Sequence, residues 1–159
     1  MATLMPSPRS VSRLARALSW LLGLALILAP AARRAAAEGA YVVIVNAGNP
    51  IAALSVSEVS DLFLKKACNW PDGTKAAPVD FLEGSAVNES FAKGIHSKSP
   101  SAVKAYWQKM IFAGREVPPP EKVTPEDVVK YVRANPGGIG YVPAGTPLGT
   151  GVKILKMRP

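Results

Sequence analysis

The sequence predicts an α/β domain, a central, mostly parallel sheet flanked by helices, and three observations carry that expectation. Tyr41-Val42-Val43-Ile44-Val45 is a continuous run rich in β-branched residues, the pattern of a strand covered on both faces. Helical apolar spacing recurs behind good N-cap residues at Ser55, Ser85, Ser99 and Thr124. Strand-like runs at 78–82, 139–142 and 152–155 are interleaved with them, giving the order β-α-β-α-α-α-β-β.

Residues 1–37 read as a secretory signal peptide, with the domain occupying 38–159. Arg9, Arg13 and Arg16 precede an uncharged run from Ala17 to Ala32, and Ala35-Ala36-Ala37 offers small residues for cleavage after Ala37. That run is shorter than the ~20 apolar residues a membrane-spanning helix needs. The expectation is a secreted, periplasmic protein that meets the membrane only through its leader. Arg33 and Arg34, after the apolar run, leave cleavage after Ala31 or a retained anchor as alternatives.

The formal charge of +8 is mostly leader. Nineteen basic residues less the five leader arginines leave 14 against 11 acids, or +3 for residues 38–159. So small an excess argues against nucleic acid as a partner. Cys68 is the single cysteine, so no intramolecular disulfide is available and stability must come from a packed core.

In chain order, Asn46-Ala47-Gly48-Asn49-Pro50 is loop chemistry after the first strand. Ser55 and Glu58 form a capping box for a short helix with Val59, Leu62 and Phe63 inward, and Lys65 and Lys66 are placed in its last turn. Asn69-Trp70-Pro71-Asp72-Gly73 turns the chain. Ser99 and Pro100 open a helix to Phe112 whose Val103, Tyr106, Trp107, Met110 and Ile111 predict a broad buried face, ended by Gly114. Pro118-Pro119-Pro120 is a stiff connector. Thr124, Pro125 and Asp127 start a helix that turns Val128, Val129 and Val132 inward; Asn135-Pro136-Gly137-Gly138 closes it before the strands at 139–142 and 152–155.

The stretch with most chemical content is Pro78 to Ile95. A strand, Pro78 to Leu82, meets a turn at Glu83-Gly84, and Ser85 caps a helix with Val87, Phe91 and Ile95 on one face. A strand feeding a helix N-terminus leaves unpaired amides beside the positive end of the helix dipole, which suits an anion. The plainer reading is that Ser85 only caps a core helix. The candidate half-site is Gly84, Ser85, Ala86, Val87 and Asn88.

Asn46-x-x-Asn49-Pro50, Leu54-Ser55, Leu62-Phe63-Leu64 with Trp70-x-Asp72-Gly73, and the tail Asn135-Pro136-Gly137-Gly138-Ile139-Gly140-Tyr141-Val142 together resemble the phosphate-type periplasmic substrate-binding proteins of ABC transporters. The resemblance spans residues 41 to 143. It implies one lobe of the type II periplasmic-binding-protein fold, a phosphate or other small oxyanion as ligand, no cofactor, and a transporter permease or second protein lobe as partner. In the family's motif Arg-x-x-Gly-Ser-Gly-Thr, the arginine falls here at Phe81, the glycine at Gly84 and the serine at Ser85. The next glycine falls at Ala86 and the threonine at Val87. The cap serine and helix end are kept; the guanidinium and second hydroxyl are not. Charged hydrogen bonds contribute about 1.5–3 kcal/mol each, so losing two weakens a site by roughly two or more powers of ten. A degenerate fold serving as a protein-interaction or sensor module is therefore the alternative. Lys65, Lys66 and Lys75 are the cations available to replace the lost charge.

Catalysis is not expected. One histidine and one cysteine build no recognisable metal spacing. Cys68 and His96 form a conceivable nucleophile–base pair, against which Cys68 reads as a small packed hydrophobe and His96 as a cation favoured at a helix C-terminus. Trp70, Tyr106 and Trp107 read as core trim, with a surface edge as the alternative.

Overall fold

The computed structural model describes residues 40–158; the leader expected at 1–37 lies outside them. The first strand, β1 (Tyr41–Asn46), sits inside a four-stranded sheet. Its neighbours are β6 (Gly138–Pro143) and β7 (Val152–Ile154), and β3 (Ala77–Pro78) forms the far edge. A central sheet with helices packed on it is the architecture expected, but the strand directions differ from expectation. β1 runs antiparallel to both β6 and β7, with Ile44 opposite Gly140 and Ile154, and only β3 lies parallel to β6. The sheet is therefore mixed and mainly antiparallel. An unbroken apolar run reports that both faces are covered; it carries no information about direction.

The two faces can be read from β6. Gly140 meets helix α4 (Pro125–Ala134), where a Cβ would lie 2.8 Å from Val128 Cγ1 and from Val79 Cγ1. Its neighbour Tyr141 points the other way and stacks on Phe91 of α2 (Ala86–His96), with centroids 3.7 Å apart and planes within 3°. One residue per face follows from the two-residue period of a strand. Glycine at 140 is required by the close approach of α4, and a side chain at 137 would collide with the Lys75 carbonyl.

Helix α1 (Val56–Phe63) forms as its capping box dictates: Ser55 Oγ accepts from Glu58 N, and Glu58 Oε2 accepts from Ser55 N at 2.7 Å. It ends at Phe63, with Leu64 as C-cap, so Lys65 and Lys66 lie beyond the last turn in which they were expected. Ser55 also ends β2 (Ala53–Ser55), which pairs in parallel with β8 (Lys156–Arg158). Neither short strand was expected, because three residues carry too little periodicity to register.

The expected strand at 78–82 is two pieces. β3 pairs with β6, whereas β4 (Asp80–Phe81) pairs with β5 (Glu121–Lys122), delivered by the proline connector. Helix α3 (Pro100–Phe112) is capped by Ser99 as expected. Its broad buried face is not observed: Trp107 is its one fully buried residue, while Ile111 is half exposed and Phe112 is 90% exposed. Its main packing partner among the helices is α2. Trp70 is buried and donates its indole N–H to Gly137 O at 3.0 Å, and Tyr106 donates its hydroxyl to Leu64 O at 2.8 Å. Among the described residues no helix is long and apolar enough to cross a membrane.

Candidate functional site

The half-site residues fall together at the start of α2. Gly84 adopts φ +84°, a left-handed conformation that glycine enters without steric cost. Ser85 follows as N-cap, accepting from Asn88 N at 3.3 Å. Ala86 and Val87 are the first helical residues, and their amides have no acceptor among the described residues. The Val87 side chain is buried in the core, so positions 86 and 87 offer backbone donors alone.

Asn88 is turned away from the helix end. Its Nδ2 donates to Tyr141 Oη at 3.0 Å, Asp80 Oδ1 at 3.3 Å and Phe81 O at 3.4 Å. Tyr141 in turn donates its hydroxyl to Asp80 Oδ1, which also accepts from Phe81 N at 2.8 Å. Burial pushes the Asp80 carboxyl up, opposed by the Tyr141 and Phe81 donors and reinforced by Glu121. Burial and the neighbouring Asp80 charge push the Tyr141 hydroxyl up as well. Phe81, at the position of the family's arginine, is buried against Tyr141. The polar network behind the helix end thus contains a carboxyl group, from Asp80, and no guanidinium.

Two of the lysines named as substitutes are paired with acids of their own. Lys65 pairs with Glu116 at 3.5 Å and Lys66 with Asp61 at 3.4 Å. Lys75 joins Lys65 in lining a different cleft, with Ala76 and Tyr131. Lys104 reaches Glu83, beside Gly84, at 3.2 Å.

Cys68 and His96 do not form a pair. Cys68 is exposed, its sulfur 4.0 Å from Lys65 O. His96 ends α2 as expected, but it is buried and its Nδ1 lies 2.9 Å from Ser60 Oγ. Burial, then Lys66 and Lys98, push its pKa down to about 4, so it is neutral at pH 7 and does not complement the helix dipole as a cation. Among the described residues no cluster of metal-ligating side chains occurs. The Asp80–Tyr141–Asn88 network was not anticipated. The available signal was an acid inside an apolar strand-like run, where aspartate is disfavoured.

Solved structures share this arrangement of elements. An ABC-type phosphate transport receptor from Vibrio cholerae superposes with a TM-score of 0.56 over 74% of this chain and 45% of its own, at 18% identity. PstS from Borrelia burgdorferi gives 0.59 over 75% and 47%, at 14% identity. The chain has the fold of a phosphate-type periplasmic binding-protein lobe. A phosphate-transporter-type substrate-binding protein from Clostridium perfringens, solved with bound phosphate, gives 0.58 over 76% and 46%, at 19% identity. The chain spans less than half the length of each of these three proteins. No family model matches the sequence. No curated protein matches it either.

Proposed function

We propose that this chain is a secreted, periplasmic solute-binding lobe that presents an oxyanion half-site, Gly84 to Asn88, to phosphate or an ion of similar shape. The observation that carries the reading is the Ser85-capped helix end with unpaired Ala86 and Val87 amides, set in a phosphate-binding-protein-like fold. A helix N-terminus stabilises an anion through such amides and the dipole. A transporter permease or a second protein lobe would close the other side. In this reading the leader, 1–37, delivers the domain to the periplasm and the chain performs no catalysis.

The competing reading is an interaction or sensor module without tight phosphate binding; Asp80 and Glu83 near the helix end are acidic, Glu83 in a pair with Lys104. Calorimetric titration of residues 38–159 with phosphate at low salt, with sulfate and molybdate as controls, separates the two. Micromolar binding abolished in Ser85→Asp supports the half-site, because aspartate keeps the cap and repels the anion. Absence of heat at millimolar phosphate supports the module.

A further inference from the structure

A cavity of about 220 Å³ opens between α2 and α3, and Asn88 is among the residues that line it. Its walls are apolar: Phe91, Val103, Trp107, Pro118 and Pro119. Its polar end is acidic. Asp80 lines it, and Glu121, the register partner of Asp80 across the β4–β5 pair, lines it as well. The third carboxylate, Glu83, is held at the rim by Lys104. Three carboxylates against one ammonium leave the cavity about two charges negative.

The geometry of Asp80 gives this charge a direction. All the protein donors go to Oδ1: Phe81 N at 2.8 Å, Asn88 Nδ2 at 3.3 Å and the Tyr141 hydroxyl. Oδ2 receives none, and it is not sealed from solvent. Water satisfies that oxygen in the open cavity, and a ligand that displaces the water must donate in its place. An anion is repelled here, and a neutral apolar molecule leaves the oxygen unpaired.

We propose that this cavity binds a small organic cation, an ammonium on a single ring or short apolar chain, with the ammonium on Asp80 Oδ2 and the apolar body between Phe91 and Trp107. The volume lies below the roughly 300–1,000 Å³ of drug-sized sites, which sets the limit of one ring. The assignment goes beyond the oxyanion half-site and does not rest on it, since the two ask for opposite charges.

The test titrates the purified protein with phenethylammonium chloride, following the Trp107 indole N–H by NMR and the heat by calorimetry. The matched probes are neutral 2-phenylethanol and anionic 3-phenylpropionate. The expected result is a shift of the Trp107 resonance with the Trp70 resonance still, and affinity for the ammonium about tenfold or more above that for the alcohol, as one charged hydrogen bond provides. Asp80→Asn, which keeps an acceptor at Oδ1, is expected to abolish that preference; Glu121→Gln is expected to reduce it and serves if the first variant does not fold. Equal binding of the alcohol, preference for the carboxylate, no shift with phenethylammonium, or an unchanged preference in both variants overturns the assignment. Phosphate titrated against Ser85→Asp and phenethylammonium against Asp80→Asn are read separately: a response to one probe without the other shows which of the two proposals fails.

Discussion

Tyr141 and Asp80 lie 61 residues apart and share one proton donor: the Tyr141 hydroxyl gives its hydrogen to Asp80 Oδ1 and accepts one from Asn88 at 3.0 Å. Tyr141→Phe deletes the donor and leaves Asn88 and Asp80 each short of a partner. Removing one partner of a buried polar pair costs about 1–3 kcal/mol. Urea unfolding at pH 7 is expected to report a loss in that range, with the stacking on Phe91 retained.

Asp80→Asn is expected to act in the opposite direction. The folded-state pKa of Asp80 is raised by burial, so its charge opposes folding once pH rises past its unfolded value. The variant is expected to be more stable than the parent at pH 8 and equal to it at pH 3, where both are neutral. Paired denaturant curves at the two pH values check this.

His96 gives an acid-side signature of the other sign. Its folded pKa of about 4 lies below the ordinary 6.5, so between these values the unfolded chain binds more protons. Its contribution is present above pH 6.5 and is lost as pH falls through 4, a change of about 3 kcal/mol. His96→Gln is expected to flatten the dependence of stability on pH across that window, leaving the opposing Asp80 slope.

Gly140→Ala places a methyl group 2.8 Å from both Val128 Cγ1 and Val79 Cγ1. Overpacking of this kind costs about 1–3 kcal/mol. Thermal unfolding is expected to show the loss, and Val128→Ala in the same chain is expected to recover part of it by vacating the contact.

Much of this architecture was legible because its signals are local. Ser55, Ser85, Ser99 and Thr124 each cap the helix expected of them, since a cap needs a donor only three residues away. Strand direction was not legible, because the partners of β1 lie about a hundred residues downstream and its own residues would look alike in either orientation. At the candidate site the Gly84–Ser85 turn was readable from residue type. The Asp80–Tyr141–Asn88 network was not: it joins residues from β4, β6 and α2, and no local spacing records that meeting. The half-exposed Ile111 misled for a similar reason, as helical periodicity says which residues share a face but not whether anything lies against it.

The pairing of β1 has a kinetic consequence. Tyr41 to Asn46 find their partners only at 139–143 and 152–154, so this inner strand is the first of the sheet to be synthesised and must wait for the last. A chain that stops short of Gly138 has nowhere to place Val43, Ile44 and Val45. Loop-closure entropy has to be met before these long-range contacts can form, which slows folding. Until synthesis is complete, an apolar segment stays open to solvent, to chaperones and to other unfinished chains.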